Sequence, residues 1–227
     1  MKSPQKILIF QTAFLGDVIL TLPLVQILHR RIPGAKIDFV TTPHAAEILR
    51  GHPDIRSVIM YDKRNTQGGI RGMFVMSRLL KAQAYDLAIV PHRSLRSAIV
   101  VYRSGIPERI GFTASAGKWL YTKLVLYNKD LHEAGRNLEF LSAVPSAWFS
   151  ISHIEHSESA LPSLHPSAED VSAVDRYFFR EKLIRRKAVV GIAPGSVWNT
   201  KRWLPERFSE LCRMLSAKGN EIILIGG

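Results

Sequence analysis

The chain has 227 residues, 46% hydrophobic and 22% charged, a globular composition that excludes global disorder, collagen and coiled coil. Its 31 basic residues outnumber 19 acidic ones, for a net charge of +12. The single cysteine, Cys212, excludes an intrachain disulfide and a cysteine-built zinc cluster, and no apolar run approaches the roughly 18 to 20 residues of a membrane-spanning helix.

Residues 6–11 (KILIFQ) form a short apolar run expected to be a buried strand. With Lys2 and Lys6 ahead of it, the run mimics a secretory signal. Gln11 and Asp17 interrupt the apolar stretch, however, and Gly16-Asp17 reads as a turn, so the chain is expected to start here and stay in the cytoplasm. Val18, Ile19, Leu22, Val25 and Leu28 follow at helical spacing. Pro23 lies about one turn in, so this helix either starts near residues 20–22 or bends there.

Strands are expected at 36–41, 55–61, 86–91 and 109–112, alternating with helices at 44–50, 68–82, 94–103 and 132–144. Near-continuous apolar strands alternating with helices indicate a doubly wound α/β domain with a mostly parallel sheet, spanning about residues 1–148. Residues 149–167 are rich in Ser, His and Pro and read as a linker. Its histidines, His153, His156 and His165, lack a supporting Cys or acidic set, so a polar loop is a better account of them than a metal site.

The alternation then restarts. A helix over 167–183, capped by Ser167 with Asp170 at its third position, precedes a strand at 188–193. A loop (194–202), a helix with proline in its first turn (205–218) and a strand (221–225) follow. Strand–helix–strand cannot bury both faces of its own sheet. Residues 168–227 therefore read as the opening of a second α/β domain.

The positive charge is uneven. Residues 63–109 carry nine basic residues and two acidic ones, a field that favours anionic partners. Within it, 63–81 sets Met73, Phe74 and Met76 among charges. That pattern suits an amphipathic segment touching a membrane, although a core-packed helix with a solvated face is the plainer account. A nucleic-acid partner is not expected, because no recognition motif with interleaved aromatics accompanies the charge.

In α/β folds, ligands bind at the carboxyl ends of the strands. Two loops fall there: 11–17 (QTAFLGD), which offers Asp17 where a helix begins, and 194–202 (PGSVWNTKR). The second loop misses the P-loop pattern at its second glycine and at the metal-binding hydroxyl, and no G-x-G occurs in the chain. Ser196, Thr200 and Lys201 remain, ahead of a helix, as hydroxyls and an ammonium suited to a diphosphate. A first-turn carboxylate such as Asp17 is also an ordinary structural feature, and a solvated basic turn would account for the second loop equally simply.

The stretch KILIFQTAFLGDVILTLPLVQIL resembles the opening of the ADP-heptose:lipopolysaccharide heptosyltransferases, glycosyltransferase family 9. PGSVWNTKRWLPERFSEL with the later LIGG is similar to the same family's second-domain signature. PHRSLRSA, GIPERIGF and HEAGRNLEFL lie between them in family order. The resemblance implies a GT-B fold: an N-terminal Rossmann-like domain that holds the acceptor and a second that holds the nucleotide-sugar. It also implies inverting transfer of a heptose from ADP-heptose to the inner core of lipopolysaccharide, with no metal and no other cofactor. Asp17 matches the family's general base, and Ser196, Thr200 and Lys201 match positions that hold the donor's phosphates. Arg93 and Arg96, at the exit of the fourth strand, are placed for the anionic lipid A core acceptor, and the enzyme would work at the inner face of the cytoplasmic membrane. Full-length members continue beyond the position of Gly227. The alternative expectation is therefore a non-catalytic remnant, or a split half that binds only acidic acceptor or nucleotide.

Overall fold

The computed structural model describes residues 5–149, 161–183, 188–196 and 199–226. They form two compact units, Met1–Pro166 and Ser167–Gly227. The break between the units falls inside the segment expected as linker. Residues 150–160 of that segment, with His153 and His156, lie outside the described residues. His165 belongs to the first unit and sets its ring edge-on to His52, centroids 4.9 Å apart.

The first unit is built on six strands: β1 (Lys6–Phe10), β2 (Lys36–Thr41), β3 (Ser57–Met60), β4 (Leu87–Val90), β5 (Glu108–Phe112) and β6 (Lys123–Val125). All pair in parallel, in the order β3-β2-β1-β4-β5-β6. Parallel strands need crossovers, and those helices cover both faces of the sheet. The alternation along β1 makes the consequence visible. Ile7 and Ile9 point into one apolar core with Leu22, Val25 and Leu28, while Leu8 and Phe10 point into a second core with Met76, Leu80 and Val100. The four side chains after Lys6 are fully buried, which explains the unbroken apolar run of the strand.

The helices of this unit are α1 (Leu15–Ile19), α2 (Leu22–Arg31), α3 (Pro43–Leu49), α4 (Gly69–Gln83), α5 (Leu95–Arg103) and α6 (Glu133–Leu138). The early proline breaks the first helix in two. Pro23 lies in the first turn of α2, where its missing N–H costs nothing, and Thr21 forms the junction. The Thr21 hydroxyl donates to the Asp17 carbonyl at 2.7 Å. The Leu20 carbonyl at the junction accepts from the buried Asn137 amide at 3.1 Å. Asn137 comes from the HEAGRNLEFL segment, which thereby stitches the end of the domain to its beginning.

Two expectations need correction. The helix expected over 132–144 is α-helical only through Leu138. It tightens into a 3₁₀ turn at Glu139–Ala143, where the Ser142 hydroxyl donates to the Glu139 carbonyl at 2.7 Å and Pro145 closes the segment. The sixth strand, only three residues long, was not anticipated: its central Leu124 is exposed, so it lacks the apolar run that marks the others.

The second unit contains α7 (Ala168–Arg180), β7 (Val189–Ile192), α8 (Pro205–Ala217) and β8 (Glu221–Leu224). Ser167 and Asp170 form the reciprocal cap at the start of α7, with the Ser167 hydroxyl accepting from the Asp170 N–H at 3.1 Å. β7 and β8 pair in parallel, which requires the crossover that α8 provides. Ile192 is the one large apolar side chain that is buried among the described residues of this unit. Among the described residues, no helix is long and apolar enough to cross a membrane.

Candidate functional site

Sequence order and spatial order diverge between β1 and β4, and the loops leaving neighbouring strands on the two sides of such a point part to open a crevice. A cavity of about 480 Å³ lies at the C-terminal ends of these strands. It is lined by residues 12–15 after β1, 42–44 after β2, 61–65 after β3, and His92 after β4.

Thr12 is the hub of its wall. The Lys63 ammonium donates to the Thr12 carbonyl at 2.6 Å and to the Thr12 hydroxyl at 3.2 Å. His92 Nδ1 stands 3.1 Å from that hydroxyl and 2.9 Å from the Ser97 hydroxyl. An ammonium can only donate, so the Thr12 hydroxyl accepts from Lys63, and its sense toward His92 Nδ1 follows the tautomer of the imidazole. Burial, assisted by the charges of Lys63 and Arg93, pushes the His92 imidazole down to about 4. The ring is thus neutral near pH 7. Burial, followed by the charges of Arg64 and Arg96, pushes the Lys63 ammonium below its ordinary value. The lining therefore sets two cations, Lys63 and Arg64, against the Asp62 carboxylate, a net positive wall with Arg96 behind it that favours anions.

Arg96, half-buried on α5, donates to the Lys63 carbonyl at 3.2 Å and so fixes the loop that carries the lysine. Arg93 is exposed and lies over the Tyr127 ring, 4.3 Å from its centroid. Arg136 lies over the same ring, also at 4.3 Å. Arg136 is buried and fully engaged: it donates to the carbonyls of Asn128 and Leu131, the Tyr127 hydroxyl and the Glu133 carboxylate. Its task is to hold the 127–133 loop and present Tyr127 to Arg93. The two arginines expected to meet the acceptor thus have different settings, Arg96 behind the cavity wall and Arg93 on an aromatic platform.

Asp17 is half-buried at the third position of α1, and its Oδ2 accepts the Phe14 N–H at 3.0 Å. It is not among the residues lining the cavity but lies two positions beyond Leu15, which is. Its local role as the closing carboxylate of a helical turn is therefore real.

In the second unit the loop after β7 holds Ser196, and a 3₁₀ turn at Asn199–Lys201 follows. Arg202 Nε donates to the Ser196 carbonyl at 2.6 Å, closing the loop so that Ser196, Thr200 and Lys201 belong to one turn. Thr200 and Lys201 are exposed, and residues 197–198 lie outside the described residues.

Sequence reasoning missed Thr12, Lys63, His92, Ser97 and Arg136 as parts of a site. Lys63 was visible only as one charge in a basic run, and His92 only as the neighbour of Arg93. Among the described residues, no grouping of three or more His, Cys, Asp or Glu could hold a metal ion.

Residues 73–227 match the sequence profile of glycosyltransferase family 9 (heptosyltransferase). Lipopolysaccharide heptosyltransferase 2 of Escherichia coli K12 is 23% identical over 222 residues, covering 97% of this chain and 63% of that protein. The crystal structure of a family 9 glycosyl transferase from Veillonella parvula superposes with a TM-score of 0.88 at 23% identity, covering all of this chain and 64% of the other. The ADP-heptose lipopolysaccharide heptosyltransferase II of E. coli superposes at 0.75 with 22% identity, over 96% of this chain and 63% of that one. The six-stranded parallel sheet is thus that of the heptosyltransferase fold, and the chain spans less than two thirds of the length of these relatives.

Proposed function

This chain belongs to glycosyltransferase family 9, and from that premise we propose that it transfers a heptose from ADP-heptose to the inner core of lipopolysaccharide, with inversion and without a metal. The observation that carries the reading is the net cationic cavity at the switch point between β1 and β4, with half-buried Lys63 in its wall and Arg93 and Arg96 beside it. A lipid-linked acceptor bearing phosphates and acidic sugars matches that charge, and the lipid part sets the reaction at the inner face of the cytoplasmic membrane.

In the proposed reaction Asp17 takes the proton from the attacking acceptor hydroxyl. The new carbon–oxygen bond forms at the anomeric carbon as the bond to the ADP oxygen breaks on the opposite face, inverting the centre through an oxocarbenium-like transition state. The departing diphosphate carries away the bonding electron pair. Ser196, Thr200 and the Lys201 ammonium would receive that growing charge, with lysine serving as a point charge.

The test is isothermal titration of the chain with ADP-heptose, with ADP as control, followed by a transfer assay on a lipid A core acceptor. Saturable binding that is lost in Lys201→Ala, together with transfer that is lost in Asp17→Asn, is the expected result. A folded chain that binds neither ligand would overturn the donor half of the reading.

A further inference from the structure

The inward side of α4 is narrow. Gly72, Met76, Ser77 and Leu80 face the core, and the Ser77 hydroxyl donates to the Val100 carbonyl of α5 at 3.1 Å. The outward side does not look like a solvated helix face. Ile70 is 72% exposed, and Phe74, Val75 and Leu79 are exposed with it, although the core uses none of them. Arg71, Arg78 and Lys81 share that side. On a helix, Ile70, Arg71, Phe74 and Arg78 fall on one face.

The last turn of α5 extends this surface. Tyr102 is 52% exposed. The Arg103 guanidinium lies over the Phe74 ring at 4.2 Å, and Arg109 lies over Tyr102 at 5.5 Å. Neither α4 nor α5 contains an acidic residue. The acidic groups nearest them in sequence are engaged elsewhere, Asp62 accepting from the Asn65 and Thr66 N–H groups at 3.2 and 3.3 Å. Asp86 accepts from the Gln5 and Lys6 N–H groups at 2.8 and 2.9 Å, and Glu108 stands 3.6 Å from the Lys123 ammonium.

We propose that the outer face of α4, with the last turn of α5, is a docking surface for a bilayer containing anionic lipids. Arginines and a lysine would meet the headgroups, and Ile70, Phe74 and Tyr102 would enter the interface. The charge decides against a second copy of the same face, since two purely cationic surfaces repel. The apolar side chains decide against nucleic acid, whose phosphate backbone offers nothing to Ile70 or Val75. The surface also begins next to the site: α4 starts four residues after Asn65, which lines the cavity. The inference draws on the proposed lipid-linked acceptor only for this setting, and the experiment below uses none.

The experiment is co-flotation of the whole chain with vesicles of phosphatidylglycerol and phosphatidylcholine, against pure phosphatidylcholine vesicles, at low and high salt. Binding to the anionic vesicles alone, weakened by salt, is expected. Each basic charge near such a surface contributes about a fivefold factor in partitioning, so Arg71→Glu with Arg78→Glu should lower binding by more than an order of magnitude. Ile70→Ser with Phe74→Ser, both at exposed positions, should also weaken it while leaving the circular dichroism unchanged. The milder pair Arg71→Gln with Arg78→Gln gives the same readout if charge reversal harms folding.

No flotation, equal flotation with neutral vesicles, or flotation indifferent to all these pairs would overturn the proposal. So would self-association in sedimentation that Phe74→Ser abolishes, or stronger binding to a nucleic-acid duplex than to the vesicles. None of these results bears on ADP-heptose binding, so the transfer reading stands or falls separately.

Discussion

The Lys63 ammonium and the Thr12 carbonyl meet at 2.6 Å, joining two loops whose residues are 51 positions apart. Thr12 is buried, and its loop leads directly into the turn that carries Asp17. Lys63→Met keeps the length of the stem and removes the donor. We predict a loss of about 1–3 kcal/mol, the cost of leaving a buried carbonyl unpaired. It should appear as a lower urea midpoint at an unchanged slope, and a variant with the wild-type midpoint would show that the contact is replaceable.

His92 makes the fold sensitive to acid in a defined direction. Its imidazole titrates at about 4 in the fold against 6.5 for an unperturbed histidine. Between these values the unfolded chain binds the proton and the folded chain does not. Stability is therefore full above the unfolded value and declines as pH falls toward the folded one, by up to about 3 kcal/mol. His52, also held below its ordinary value chiefly by burial, contributes in the same direction. The measurement is thus a difference: urea midpoints of wild type and His92→Gln from pH 7 to about 4.5. The gap between the two should narrow as pH falls, and parallel curves would contradict the assignment.

Asp38, buried on β2, answers two donors. The Arg56 guanidinium pairs with both its oxygens, and the Tyr85 hydroxyl donates to Oδ2 at 2.7 Å. Burial and the adjacent carboxylate push the Tyr85 phenol far above its usual range, so it stays a donor at every accessible pH. Tyr85→Phe removes a hydrogen bond to a buried charge and should cost about 2 kcal/mol. Asp38→Ala should cost more, because it also strands the phenol. Thermal melts of the two variants give the order, and a Tyr85→Phe chain as stable as wild type would mean that Arg56 alone satisfies the carboxylate.

The parts of the fold that were legible are those where burial acts on every residue of a short stretch. The cores of strands 6–11 and 86–91 are apolar because helices cover both faces of the sheet, and that requirement is written in consecutive residues, whereas 36–41 buries Asp38 among its apolar neighbours. The β6 strand escaped because one neighbour and one covered face suffice for three residues. Pro23 announced a break, but not the Asn137 amide that satisfies it from 117 positions away. Separation in sequence also hid the cavity wall, whose pairs lie 51 and 80 positions apart. Lys63, Thr12 and His92 have unremarkable neighbours in sequence and become a site only when three different strand ends converge. Arg93 and Arg96 could be placed near the site from one strand end, yet nothing local distinguished the arginine on Tyr127 from the one behind Lys63.

Asp17 has both a structural and a proposed chemical role, and one pair of substitutions separates them. Its Oδ2 accepts the Phe14 N–H at 3.0 Å, closing the first turn of α1. Asparagine can present an amide oxygen at the same point, so Asp17→Asn should keep the turn and melt within about 0.5 kcal/mol of wild type. It cannot take a proton, so heptose transfer should fall by roughly a hundredfold or more while ADP-heptose titration is unchanged. Asp17→Ala loses the acceptor as well and should cost about 1 kcal/mol in addition, as lost caps do. Melting curves, titration and a transfer assay on the two variants resolve the roles. Normal transfer by Asp17→Asn would leave Asp17 as the closing residue of a helical turn and move the search for the base to another oxygen at the cavity. Loss of both fold and transfer in Asp17→Asn, with Asp17→Ala no worse, would mean that the charge itself holds α1 in place.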